Sequence, residues 1–168
     1  MKKALEWPAR YAQAKARIEA ATTELERFAF LPMLAKAAFE LSAIDEAESW
    51  ARESLELAIR FRDNWNYGNA IHDGHCVLGR VALSKGDIAT AKQELLEAGR
   101  TPGSPQLGSF GPNVTLARDL LQRNEVTTVV QYFRLCHTFW KMEDGKIAHW
   151  TELAESGQMP DFGPHVVY

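Results

Sequence analysis

The sequence has little of what usually assigns a chain to a chemistry at sight. Two cysteines in 168 residues, Cys76 and Cys136, are too few for a disulfide scaffold. Both fall in helix-like stretches, which suits reduced, buried thiols and predicts a cytoplasmic setting. No apolar run approaches the ~18 residues that a membrane-crossing helix needs. Met1-Lys2-Lys3-Ala4-Leu5-Glu6-Trp7-Pro8 has two bases with no apolar stretch behind them, so it does not read as a secretory leader. Positive charge is not in excess. Lys and Arg total 19 against 22 Asp and Glu, a net charge of −3, which argues against nucleic acid or a membrane surface as partner. Gly-x-Ser-x-Gly, His-Glu-x-x-His, Cys-x-x-Cys and a glycine-rich phosphate loop are all missing. Adjacent Cys136 and His137 would point about 100° apart on a helix, a poor nucleophile–base pair. The expectation is a non-enzyme with no cofactor.

What is present is helical periodicity. Trp7, Tyr11, Ala14, Ile18, Ala21, Leu25 and Phe28 alternate steps of four and three, one stripe of a helix predicted over 8–28. That helix either docks on its own domain, the reading preferred here, or forms a dimer seam; monomer and homodimer both stay open. Pro32 suits the start of a helix carrying Leu34, Ala38 and Leu41, and Ser42 the cap of the next, carrying Ala47, Trp50, Ala51, Leu55, Ala58 and Ile59. After a turn-rich break at 62–69, a helix reaches Ser84. Lys85-Gly86-Asp87 turns, with Asp87 as cap, and the helix through Ala91, Leu95 and Ala98 ends at Gly99. Three prolines and three glycines in 101–113 predict a structureless connection pinned by Leu107 and Phe110. Beyond it Leu116, Ala117, Leu120 and Leu121 predict one helix and Val126, Val129, Val130, Phe133, Cys136 and Trp140 another, although Val126–Phe133 also has strand propensity. A last helix around Ile147, Trp150 and Ala154 ends at Gly157, before an extended tail from Met159.

The chain repeats itself. Leu34-Ala35-Lys36, Leu78-Gly79-Arg80 and Leu116-Ala117-Arg118 are one phrase, and Ala47, Ala91 and Val129 follow twelve residues after each small residue. The second unit, with Leu78-Gly79, Ala82, Gly86-Asp87, Ala91, Leu95 and Ala98, resembles a tetratricopeptide repeat. The first and third resemble it more weakly. All three lack the large aromatic of the first helix, where Leu31, His75 and Asn113 stand. The small residues are 44 and 38 apart, against about 34 in that family. The resemblance implies an all-α fold: a right-handed stack of antiparallel helical hairpins. Its units fall at about 28–62, 69–99 and 112–141 in a single domain of seven or eight helices, with a C-terminal helix and tail over 144–168. It also implies a concave face that binds a protein or peptide, as an adaptor or immunity-like inhibitor does.

On that reading Lys36, Arg80 and Arg118 form a basic ladder in the groove, suited to an acidic partner. The competing reading pairs them with acids such as Glu40 or Asp73. Asp73, Gln106, Phe110 and Asn113 complete the candidate binding set, from the groove and the 101–113 segment. Asn64, Trp65, Asn66, Tyr67 and Asn69 suit either a hairpin junction or an interface. His72, His75 and Cys76, three and four apart on one helix, are a weaker alternative, as the ligands of a metal-binding protein or the site of an enzyme.

Overall fold

The computed structural model describes residues 6–166, which hold nine α-helices, a final 3-10 turn and no strand. The helices are α1 (Trp7–Ala20), α2 (Glu24–Glu40), α3 (Ile44–Arg60), α4 (Tyr67–Ser84), α5 (Ile88–Gly99), α6 (Pro105–Phe110), α7 (Thr115–Leu121), α8 (Val126–Phe139) and α9 (Lys146–Glu155); the 3-10 turn is Gly163–Val166. Residues 1–5 and the last two positions of the tail lie outside the described residues. Helices adjacent in sequence pack as neighbours from α1 to α5, and again from α7 to α9. Helix α8 also lies against α5, and α2 against α4.

The first difference from the sequence reading is near the N-terminus. The continuous helix expected over 8–28 is two helices. Thr23 is extended (φ −128°), and its hydroxyl accepts from the Glu26 amide at 3.2 Å while the Glu26 carboxylate accepts from the Thr23 amide at 3.1 Å. This reciprocal box starts a new helix more favourably than an unbroken stripe continues the old one. Ala14, Ile18 and Phe28 stay buried, whereas Leu25 is turned half to solvent. Pro32 consequently lies inside α2 rather than near a start, and its ring removes the bond a residue there would make to the Phe28 carbonyl. Ser42 is not a cap. It takes a positive φ of 62° in the turn, and Ala43 precedes α3.

Small residues set the spacing of the central helices. Ala35, Ala38, Ala47 and Ala51 are buried between α2, α3 and α4, packed with Val77, Leu78 and Val81. Side chains this short allow helix axes to approach at the lower end of the usual ~8–10 Å. Ile59, expected on the buried face of α3, is exposed. Gly79 belongs to a crossing, as expected, but a three-way one: a Cβ there would lie 2.3 Å from Leu116 of α7 and 3.2 Å from the Glu94 Cβ of α5. Asp87 caps α5 by accepting from the Thr90 amide at 2.9 Å.

The 101–113 connection is not structureless. Its prolines avoid the helix interior: Pro102 precedes α6, Pro105 opens it, and Pro112 follows it. Ser104 caps it, its hydroxyl accepting from the Leu107 amide at 2.9 Å, and Gly111 at φ +81° ends it. An amide missing from a helix's first turn costs nothing, which is why a proline-rich stretch still makes a short helix. Leu107 pins it to the core as expected. Phe110 does not; it is 75 % exposed. The segment 126–139 is helical despite its strand propensity, because its three-and-four spacing buries Val129, Val130, Phe133 and Cys136 on one side. The tail is extended only in part. Phe162 is buried against Phe133 and Trp150, and the chain then coils into the terminal 3-10 turn.

Candidate functional site

Five of the seven residues singled out from the sequence line one cleft of about 340 Å³: Lys36, Asp73, Gln106, Phe110 and Asn113. Lys36 comes from α2. Asn69, His72 and Asp73 lie one turn apart on α4. Gln106, Leu107 and Phe110 come from α6, and the connection 111–113 follows. Pro164 and His165 of the terminal turn form the remaining wall.

The floor of the cleft is a chain of polar groups. The Lys36 ammonium donates to Asp73 at 2.7 Å, and the other Asp73 oxygen faces His72 Nδ1 at 3.5 Å. His72 Nε2 meets the Tyr132 hydroxyl at 3.1 Å, and that hydroxyl donates to the Asn113 carbonyl at 3.4 Å. His72 therefore spans the Asp73 carboxylate at Nδ1 and the Tyr132 hydroxyl at Nε2. Burial alone would push the His72 imidazole down, but the neighbouring Cys76 sulfur and the Asp73 carboxylate outweigh it and hold the group above its ordinary value. Burial likewise pushes the Asp73 carboxyl up, and Lys36 first and then His72 outweigh it, holding the group at about 2. Alternating charges, cation–anion–cation, run from the cleft into the core.

One wall is built by side-chain amides and hydroxyls. Asn69 Nδ2 donates to Gln106 Oε1 at 3.1 Å and to Asn66 Oδ1 at 3.0 Å, and the Ser104 hydroxyl donates to Asn69 Oδ1 at 2.6 Å. Ser104 thus caps α6 and ties it to α4. Ser104→Ala removes both functions, and we expect a loss of about 1–2 kcal/mol in urea denaturation, the scale of a helix cap plus one hydrogen bond. A loss below about 0.3 kcal/mol would show that α6 is held by its other contacts, buried Leu107 and the Asn69–Gln106 bond among them.

The basic ladder is divided. Lys36 faces the cleft. Arg80 lines a separate depression with Phe39, Asp119 and Arg123; its guanidinium donates to Glu40 at 2.6 Å and lies 4.2 Å over the Phe39 ring. Arg118 turns to Asp119, donating at 2.8 Å. Each base is therefore engaged by a carboxylate, the competing reading that sequence spacing left open.

The histidine cluster is divided too. His75 bonds Glu94 of α5 at 2.6 Å, while His72 and Cys76 face the core. Among the described residues no three His, Cys, Asp or Glu side chains gather as a metal site. Cys136 is buried, which pushes its thiol up, and the adjacent His137 side chain is mostly exposed. Among the described residues no helix is long and apolar enough to cross a membrane.

Sequence reasoning missed the contribution of the tail. Nothing near Pro164 and His165 in the chain signals that they close a cleft formed by residues some 50 to 130 positions earlier. It also missed Tyr132 as the partner of His72, since a buried tyrosine on a helical stripe reads as core. Searches of protein-family models, curated proteins and solved structures each gave no match.

Proposed function

We infer that this protein is a peptide- or protein-binding helical module, and that its binding site is the cleft between α2, α4 and α6. The observation that carries the reading is the convergence of Lys36, Asp73, Gln106 and Asn113 on one cleft with an exposed aromatic, Phe110, at its rim. Side-chain amides complement the donors and acceptors of a peptide backbone. A large exposed aromatic beside a polar recess is the usual form of an interface anchor. The pairs α2/α3, α4/α5 and α7/α8 correspond in order to the three sequence units. A right-handed, tetratricopeptide-like stacking of them is part of the same reading, with the cleft at its concave side. The floor presents both signs, so a partner segment that offers an acidic group to Lys36 shares that base with Asp73. No catalytic role is assigned to any residue of the cleft.

Selection from a displayed random-peptide library, followed by titration of the selected peptides, tests this. We expect micromolar ligands whose affinity falls at least about tenfold, roughly 1.4 kcal/mol, in Phe110→Ser. Ile59→Ser, at an exposed apolar position on α3 outside the cleft lining, should leave affinity unchanged. Failure to select any ligand, or equal affinity in Phe110→Ser, overturns the reading.

A further inference from the structure

We propose that residues 159–166 are a displaceable strap that closes one side of the cleft, and that His165 is its latch. This rests on the reading of the cleft as a binding site, whose access the strap would regulate. The strap is held at Pro160 and Phe162, which are buried, at His165, and at Val166, which packs against the core. Phe162 is buried against Phe133 and Trp150, with ring centroids 6.2 and 5.0 Å away. Three residues on, the His165 ring lies 4.8 Å from Trp140 and 5.3 Å from Trp150, Nδ1 donates to the Pro112 carbonyl at 3.2 Å, and the His165 carbonyl accepts from the Val114 amide at 2.8 Å.

The latch therefore grips the 112–114 segment, which also supplies Asn113 to the cleft. Between Gln158 and the terminal turn the chain has no regular structure, and among the described residues the Val114–His165 bond is the one backbone hydrogen bond outside the helices that joins this segment to another. A segment tied by side chains and one such bond opens at lower free energy than the helices beneath it. Opening it would remove Pro164 and His165 from the cleft wall and lengthen the recess past Asn113.

The latch is also a titratable group. Partial burial, and then the Lys146 ammonium, hold the His165 imidazole below its ordinary 6.5. Lys146 already sits 5.7 Å over the Trp140 ring, so a second cation beside that ring would be repelled. The Pro112 carbonyl, the one favourable partner, does not reverse the balance. Across the cavity stand Lys36, Asp73 and His72, whose charges are engaged with one another, and the strap itself carries Asp161, which accepts from the Gly163 amide. The sign follows. A released His165 binds a proton more readily than a latched one, so release is favoured as pH falls through about 6.5.

Hydrogen exchange at single amides tests the strap without any ligand. The Val114 amide reports the latch, and the Val77 and Val81 amides of α4 report the core. Between about pH 7.5 and 5.5, the protection factor of Val114 should fall severalfold, at most about tenfold, with the core amides unchanged. His165→Phe keeps a ring against Trp140 and Trp150 but cannot titrate, and its Val114 protection should be flat across that range. Two results overturn the proposal: a Val114 amide that opens only together with Val77 and Val81, or the same pH dependence in His165→Phe. Selected peptides that fail to bind while the strap opens as expected would remove the binding reading alone.

Discussion

Replacing Gly68 by alanine is expected to destabilise the protein by about 3 kcal/mol, the upper range for forcing one carbon into a packed contact. The added Cβ would lie 1.8 Å from the Gly103 carbonyl oxygen and 2.5 Å from its carbon. Both are backbone atoms, so no rotamer change relieves the clash. The 101–103 segment must move instead, and it is tied down at this point: the Thr101 hydroxyl donates to the Gly68 carbonyl at 2.7 Å from a fully enclosed position. Moving it also moves Ser104, and with it α6 and one wall of the cleft. For a chain of this size the loss corresponds to a fall of roughly 6–12 °C in thermal midpoint. Gly108→Ala is the control. Its nearest neighbour, the Phe139 carbonyl oxygen, is 3.5 Å from the added carbon, an ordinary contact, and alanine is the better helix former. Gly68→Ala within about 0.5 kcal/mol of the parent would mean that the 101–103 segment does not hold this position in solution.

Asp73→Asn should cost a similar amount, about 3 kcal/mol, for an electrostatic reason. The carboxylate lies between Lys36 and His72, and the Asp73, Lys36 and His72 side chains are 17, 14 and 1 % exposed. Removing its charge leaves two cations facing each other with little water to screen them. The double variant Lys36→Met with Asp73→Leu should recover part of the loss, because replacing a buried pair with apolar groups is far less costly than orphaning one partner. A double variant no better than Asp73→Asn would show that His72, not Lys36, is the cation that needs the carboxylate.

The same residue gives a pH signature. The folded Asp73 carboxyl titrates at about 2 and the unfolded one near 3.8. Its folded value is depressed, so its contribution, about 2 kcal/mol, is fully present above the unfolded value and is lost as pH falls towards the folded one. Urea midpoints measured from about pH 5 down to pH 2 should fall more steeply for the parent than for Asp73→Asn. Parallel slopes would remove Asp73 from the acid response.

Much of the architecture was legible in local spacing. Asp87, the turn beside it and the small residues Gly79, Ala47 and Ala91 carry their structural meaning wherever they occur in a chain, because capping and close helix approach depend on a few neighbouring atoms. Position 23 shows the limit. A four-and-three stripe runs through it without interruption, yet Thr23 and Glu26 bond each other and start a new helix. The stripe describes which face would be buried if the helix continued; it does not weigh that burial against a cap. Positions 104–111 show the opposite error, since the placement of prolines mattered and their number did not.

The amino-acid sequence by itself determined that this chain is helical, where most of its helices begin and end, and that three equivalent positions carry a base. Only the tertiary structure decided what those bases do. Lys36, Arg80 and Arg118 look alike in the chain, but Asp73 meets Lys36 and Glu40 meets Arg80 between α2 and α4, Arg118 turns to its chain neighbour Asp119, and only Lys36 is left facing the cleft. The cleft itself has the same origin. Its walls come from α2, α4, α6 and the last turn, and a recess closed by Lys36 and His165 depends on how helices pack, an arrangement set by the summed burial of the core and by no local run of residues.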